Sequence, residues 1–379
     1  MTTTDTTLEQ KTTSSRASIA SWLGVLFVLV LLLMMVGGYV RLTQSGLSLP
    51  GWPFVEGRVL PPMSDAGWHE MHELYQKDMH ELESRRQQGI VGLGASGHRP
   101  ETLADFQRIF LIEWSHRFLA ALVGMVGLAC MVVMFRNRDV RELAGKPLVG
   151  IVGLIVVQSI IGGLLVLSHT STHWLFIHLG IATGILGFIM WTLMLLVRGR
   201  REPLPKAELA PRRTIRFWVR AALIVTFIQI VLGAFVAGSR HNGFSTSWPE
   251  MAGEIIPTLW MSSKGVIWNL LDNPTLHQWT HRWFAWIVVI AIAAMASTAR
   301  RAPIGMRGRL AIRFAFAVTC AQIILGVMNV LRGAELVIAM SHLAVALVLF
   351  TSLCLAAFDL RYEPTGEREA LGDAGRIPA

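Results

Sequence analysis

Four histidines stand in duplicated register, and their neighbours repeat with them. Glu113-Trp-Ser-His116-Arg117-Phe-Leu-Ala120 returns as Gln278-Trp-Thr-His281-Arg282-Trp-Phe-Ala285, each opening a long apolar run. His178-Leu-Gly-Ile-Ala182 returns as His342-Leu-Ala-Val-Ala346, so two pairs recur at separations of 62 and 61 positions. A lone histidine in an apolar helix is ordinarily a hydrogen-bonded core residue. Four in duplicated register point instead to imidazole ligation of iron, in two buried haem sites.

The two halves are not chemically equal. Glu113 occupies the place that Gln278 fills in the second half, a change that keeps shape and removes a charge. Three residues before His116, Glu113 shares that histidine's helix face and aims at the same cavity. A carboxylate there can accept a proton, orient water or stabilise developing positive charge, or simply hold a ligand or a neighbouring arginine. Arg117, Arg282 and Arg41 could grip haem propionates through paired hydrogen bonds, or snorkel to lipid headgroups. Arg41 faces only Ala237 in the repeat. His277 lies one turn before His281 with no counterpart at Ile112, which favours a capping or loop role. His169, His173 and His241 fall at outer helix ends, where polar side chains are ordinary.

These residues need helices to carry them. Hydrophobic residues make up 53% of the chain and charged residues 16%, a balance that excludes an ordinary soluble domain. Eight apolar runs, at 20–42, 108–135, 147–168, 173–197, 215–238, 279–299, 308–331 and 335–359, are long enough to span a bilayer as helices. The expected fold is therefore all-α: a polytopic membrane protein of two tandem parallel-repeat four-helix bundles, residues 20–197 and 215–359, joined by a cytoplasmic linker at 198–214. Residues 1–19 and 360–379 read as polar cytoplasmic tails, the first of them disordered.

Arg136, Arg138, Arg141 and Lys146, then Arg198, Arg200, Arg201, Lys206, Arg212 and Arg213, then Arg300, Arg301 and Arg307 mark the inner loops. Both termini are thus expected inside, with all four histidines near the outer face. The net charge of +9 is a topology signal with affinity for anionic lipid, and gives no ground for a nucleic-acid partner. Cys130, Cys320 and Cys354 lie inside spans and read as buried structural thiols. In the long outer loop Trp68, Met71, Tyr75, Met79 and Leu82 form one helical stripe, suited to lying on the membrane over the haem mouth. His69, His72 and His80 occupy its polar side.

Gly37-Gly38-Tyr-Val-Arg41-Leu-Thr43-Gln-Ser45-Gly46-Leu-Ser48, taken with both His-Arg motifs, the His178 segment and Ser341-His342, closely resembles heme A synthase over roughly residues 20–359. Further halves of the pattern, Trp52-Pro53 and Gly243-Phe-Ser245 with Trp248-Pro249, follow the same repeat. The resemblance implies oxidation of the C8 methyl of heme O to a formyl group, through a hydroxymethyl stage, yielding heme A for terminal oxidases. It implies His281 and His342 as ligands of a haem b, His116 and His178 as ligands of the substrate haem, and Glu113 as the catalytic carboxylate. Heme O is the implied substrate, with heme O synthase and cytochrome oxidase assembly factors as candidate partners and a homo-oligomer left open. The chain lacks the cysteine pair that some bacterial members carry in the first outer loop, and so is similar to the alphaproteobacterial and mitochondrial branch. A bacterial inner membrane is the expected location, with the mitochondrial inner membrane as alternative. Two other classes fit part of the pattern. A diheme b-type electron-transfer cytochrome needs the histidines and not the carboxylate, and a duplicated transporter needs polar residues nearer the membrane centre than these.

Overall fold

The computed structural model describes residues 3–49, 60–88, 100–168, 172–198, 210–239, 245–258, 260–261 and 263–362. Trp52-Pro53, His169, Arg200, Arg201, Lys206, His241, Gly243 and the tail after Tyr362 lie outside them. Ten helices follow in order among the described residues: α1 (Thr3–Leu42), α2 (Asp65–Gln87), α3 (Leu103–Arg136), α4 (Arg138–Leu167), α5 (Thr172–Arg198), α6 (Arg213–Ser239), α7 (Val266–Asp272), α8 (Pro274–Ala299), α9 (Met306–Leu331) and α10 (Leu336–Arg361). All but α2 and α7 are long and apolar enough to cross a membrane. The large apolar residues that remain exposed, such as Leu32, Val156, Phe188, Ile290 and Ile324, lie on these spans, where lipid rather than water is their solvent.

Each half closes on itself as a ring of four. In the first, α1 packs on α3, α3 on α4, α4 on α5 and α5 on α1; in the second, α6 packs on α8, α8 on α9, α9 on α10 and α10 on α6. The histidine-bearing helices of each half, α3 with α5 and α8 with α10, therefore face each other along a diagonal. Ile19, Leu23, Leu26, Met134, Leu148, Ile151 and Leu186 fill the inner part of the first ring, and Ile215, Ile292, Met295, Ile312 and Leu353 that of the second.

Contacts of α5 with α6 and α10, and of α1 with α10, join the halves. Arg198 on α5 pairs with Asp359 on α10 at one end, and Met190, Ile230, Phe350 and Cys354 fill the middle. At the other end Arg41 donates to the carbonyl oxygens of Ala237 (3.0 Å) and Gly238 (2.6 Å). Ala237 is Arg41's own counterpart in the repeat, so this contact lies beside the axis relating the halves. It caps the open C-terminal carbonyls of α6.

Three elements differ from expectation. The first helix begins at Thr3 instead of 20, because a helix already nucleated by the span extends cheaply into Leu8, Glu9, Gln10 and Lys11; Ile19 is fully buried and Arg16 sits 3.6 Å from Asp139. The helix after the second span begins at Arg138, with Asn137 accepting from the Val140 amide, and runs through Pro147. Cys130 and Cys354 are buried, but Cys320 faces outward from α9, since an apolar thiol is equally at home against lipid.

The close approach of α1 and α10 depends on Gly38. A Cβ there would lie 2.6 Å from Leu343 Cδ2 and 3.6 Å from Met340 Sδ. Gly38→Ala is expected to lower the thermal midpoint in detergent by the equivalent of about 1–3 kcal/mol of overpacking. Adding Leu343→Ala should restore part of the loss. If the double variant melts no higher than the single one, the crossing is not what limits stability.

Candidate haem chambers and carboxylate site

The expected stripe on α2 forms, with Met71, Tyr75 and Leu82 buried. It packs on α3 and Leu49: Trp68 meets Phe110 edge-on at 5.1 Å and His72 stacks on Phe106 at 4.9 Å. This contact explains why α3 starts five residues before its apolar run. Thr102 accepts from the Asp105 amide at 3.1 Å to cap the helix, and Phe106, Ile109 and Phe110 give the extra turns a buried face. His116 consequently lies about 20 Å along α3, at 1.5 Å per residue, instead of within its first two turns.

Each of the four histidine rings rests on a glycine of the neighbouring helix. A Cβ added at Gly37 would lie 3.1 Å from His116, at Gly162 3.2 Å from His178, at Gly233 3.2 Å from His281, and at Gly326 3.1 Å from His342. The rings are enclosed by helices yet keep partial accessibility, as side chains facing an internal cavity do. The ring centroids of His281 and His342 are 6.4 Å apart with their planes at 77°.

That separation is a test of fit. Two imidazoles bound to one metal at about 2.0–2.1 Å, each centroid roughly 1 Å behind its nitrogen, place their centroids about 6 Å apart. The Nδ1 atoms of His178 and His342, on the ring edges that face Gly162 and Gly326, are buried and without a hydrogen-bond partner. The residues present therefore fit an iron porphyrin between α8 and α10, and the first ring has the same diagonal and the same glycine seats.

Around the carboxylate the two halves diverge. Gln278 is saturated: its Oε1 accepts from the Ser245 amide at 2.9 Å and its Nε2 donates to the Ser245 carbonyl at 2.8 Å. Arg282 grips the same loop, donating to the carbonyls of Ser245 (2.8 Å), Ser247 (2.8 Å) and Glu250 (3.2 Å). In the first half Arg117 donates to Glu113 Oε1 at 3.1 Å and to the Leu49 carbonyl at 3.3 Å. Glu113 is 4% exposed, and its Oε2 is buried with no partner. One oxygen is thus anchored while the other has no partner within the protein.

The arginines expected near propionates are accordingly engaged with the protein itself: Arg117 with Glu113 and Leu49, Arg282 with the 245–250 loop, and Arg41 with the end of α6. His277 donates to the Leu270 carbonyl at 3.0 Å and packs against Phe235; of the capping or loop role expected of it, the contact is a cap on the last turn of α7. His173 pairs with Asp272 at 3.3 Å. Sequence reasoning missed Gln158, Gln229 and Gln322, which contact three of the four histidines. The recurrence of Gln158-x-x-x-Gly162 as Gln322-x-x-x-Gly326, 164 positions later, was the available signal.

Gln278→Glu is expected to remove a donor from the Ser245 carbonyl and set a carboxylate against it. Loss of stability should be about 1–3 kcal/mol, without any gain of oxidation chemistry in that half. Thermal melts alongside pigment analysis check both parts. New product formation from this variant carrying Glu113→Gln would show that the chambers are interchangeable.

Comparison with known proteins bears on all of this. The family model described as cytochrome oxidase assembly protein matches residues 20–354. The chain is 33% identical over 351 residues to the heme A synthase of Rhizorhabdus wittichii, covering 90% of this chain and 94% of that one. It is 34% identical over 363 residues to the heme A synthase of Paracoccus denitrificans, covering 92% and 89%, and 34% identical over 340 residues to that of Bradyrhizobium diazoefficiens, covering 87% and 88%. A resemblance first carried by short motifs thus extends over both rings and the loops that join them, and the chain belongs to the cytochrome oxidase assembly protein family in which these heme A synthases stand.

Proposed function

We propose that this membrane protein is an oxidoreductase that converts a methyl group of heme O to a formyl group, and that the reaction takes place in the first-half chamber. The observation that carries the placement is the unpartnered, buried Oε2 of Glu113, three residues before His116 on α3, set against a Gln278 whose oxygen and nitrogen are both engaged in the other half. His116 and His178 hold the iron of the substrate, and His281 and His342 hold a haem b. A bound haem b supplies a one-electron carrier next to the substrate chamber.

The chain's own residues then have definite tasks. Conversion of CH3 and water to CH2OH releases two electrons and two protons, and a second such round gives a gem-diol that loses water to the aldehyde. The electrons pass to an external acceptor, and Glu113 Oε2 receives protons and directs water toward the substrate carbon. Arg117 fixes Oε1, so that Oε2 keeps one direction during both rounds. Gly37 and Gly162 leave the space in which the His116 and His178 rings meet the macrocycle.

Basic residues at Arg136, Arg138 and Arg141, and at Arg300, Arg301 and Arg307, support an inner-membrane orientation with both termini cytoplasmic. The chambers then open toward the outer face. Heme O synthase and oxidase assembly factors are the partners this chemistry calls for, one supplying substrate and the other receiving product.

Extracting the pigments of the purified full-length protein and separating them chromatographically tests the proposal. Heme O, its hydroxymethyl form or heme A is expected beside haem b. Haem b alone, from a host that makes heme O, would leave a diheme electron-transfer cytochrome as the better reading.

A further inference from the structure

The loops on the histidine side of the two halves use their apolar residues in opposite ways. In the first half Met71, Tyr75 and Leu82 of α2 are buried, while Glu73, Lys77, Asp78 and Glu81 face outward. In the second half the stretch from Met251 to Leu271 carries only two charged residues, Glu254 and Lys264, and it turns large apolar side chains out. Ile255, Ile256, Trp260 and Met261 are exposed, as are Val266, Ile267 and Leu270 on α7; Ile256 is 68% and Ile267 73% accessible. None of them belongs to a membrane-crossing helix. A contiguous apolar patch of this kind marks a surface with a partner other than water.

Polar contacts on the inner side hold the patch in place. Asn269 is fully buried: its Oδ1 accepts from the Met261 amide at 2.9 Å, and its Nδ2 donates to the carbonyls of Met261 (3.0 Å) and Lys264 (3.2 Å). Asn273 donates to the same Oδ1 at 3.0 Å, and its own Oδ1 accepts from the Leu276 amide to cap α8. The segment is thus stapled to the start of α8 with its amides inward and its hydrocarbon outward. A loop facing water has the reverse arrangement.

Continuity with the lipid-facing surface identifies the partner. Trp279, Trp283, Trp286 and Ile290 form one stripe along α8, and the last three are exposed on a helix that crosses the membrane, so hydrocarbon is their solvent. Trp279, in the second turn of α8, donates from Nε1 to the Ile255 carbonyl at 3.1 Å. The patch therefore begins where the lipid-facing stripe ends, beside the entry of the span and not above its tip. Trp260 and Trp268 lie in the same stretch, with the Lys264 ammonium 5.6 Å from the Trp268 ring centre. Indoles accompanied by a lysine suit the headgroup layer, where one end of the side chain is apolar and the other wet.

We propose that this loop is an interfacial anchor: Ile255, Ile256, Trp260, Val266, Ile267 and Leu270 enter the headgroup–acyl boundary of the leaflet on the histidine side, with a lipid surface as their partner. The inference goes beyond the redox reading and needs only the eight spans. The same loop, a few residues earlier, is held by Gln278 and Arg282 through the carbonyls of Ser245, Ser247 and Glu250. Lipid at one end and α8 at the other, on the two residues that flank the Thr280-His281 pair, thus fix it from both sides.

Nitroxide labels on the full-length protein, reconstituted into vesicles of phosphatidylcholine and phosphatidylglycerol, test the anchor. Cys130 and Cys354 are buried, so replacing Cys320 by serine leaves a background for Ile256→Cys and Ile267→Cys. Two further labels set the limits: Ile290→Cys on the lipid-facing stripe of α8 and Lys77→Cys on the polar face of α2. Oxygen concentrates in lipid and a nickel chelate stays in water. Relaxation of the labels at 256 and 267 should respond more to oxygen than to nickel, as at 290, with the opposite preference at 77. A preference for nickel at both positions would place the patch in water and overturn the proposal. Exclusion of both reagents would mean that a second copy or another protein covers it, and would overturn the proposal equally. Should either variant fail to fold, Val266→Cys and Leu270→Cys report on the same face of α7 and decide by the same comparison.

Discussion

Glu113→Gln lowers product formation by about 10²–10⁴-fold, the usual worth of a positioned general base, while the haem b absorption of the protein stays at its parent intensity. The substitution is nearly isosteric, and the second half shows that an amide is tolerated at this place in the fold: Gln278 occupies it and is buried. What changes is the chemistry of one atom. Oε2, buried and without a partner, becomes either a weak carbonyl acceptor or an amide donor, and neither can take a proton at ordinary pH. Arg117 keeps an acceptor in the amide oxygen and its second contact with the Leu49 carbonyl, so the local fold should persist, though a charged pair becomes a weaker hydrogen bond. Glu113→Asp should retain part of the rate, because the acid survives but is drawn back by one methylene. Chromatography of the pigments, with accumulation of heme O as the companion signal, reads the effect. Parent-level conversion by Glu113→Gln would remove the carboxylate from the mechanism and leave it the Arg117 anchor alone.

The architecture was legible because lipid imposes one rule on every span. Eight unbroken apolar runs had to be helices, and the described residues hold eight such helices at nearly the same places. Errors fell where that rule stops acting. The first helix extends outward from 20 to Thr3, the third starts at Leu103 instead of 108, and the fourth at Arg138 instead of 147, all in polar sequence where caps and packing set the limits. The pairing of Glu113 with Arg117 was one of the readings open from their spacing. Its asymmetry with Gln278 was visible as a letter change, but the saturation of Gln278 by Ser245 depends on a loop fold that no local pattern encodes. Arg41 was harder still. Its partner is the carbonyl of Ala237, 196 positions away, and contacts near a repeat axis leave no periodic trace in either half. The glutamines did leave one, and it went unread because attention to ionisable residues passes over a neutral amide.

His281→Ala and His342→Ala should each strip haem b from the protein, and the same reasoning predicts a graded series. Removing an axial imidazole leaves a porphyrin iron five-coordinate, so any haem that stays should turn high-spin and bind carbon monoxide. Retention should fall by at least the tenfold that loss of a mere outer-shell partner produces in metal sites. Gly326→Val offers a milder perturbation that deletes no ligand. A Cβ at this position lies 3.1 Å from His342 Cε1, and the branched side chain would push the ring across the chamber from its seat. Misplacement, unlike deletion, leaves a nitrogen able to ligate, so the expected spectrum is a mixture of high-spin and low-spin forms. The first-half chamber serves as an internal control. It is closed by its own ring of helices α1, α3, α4 and α5, and pigment bound there should remain in proportion to protein. Spectra and haem-to-protein ratios of the three variants settle the order, which should run parent, Gly326→Val, then the two alanine variants. Equal haem b content in all four proteins would mean that the 6.4 Å approach of His281 and His342 belongs to packing and not to a shared iron.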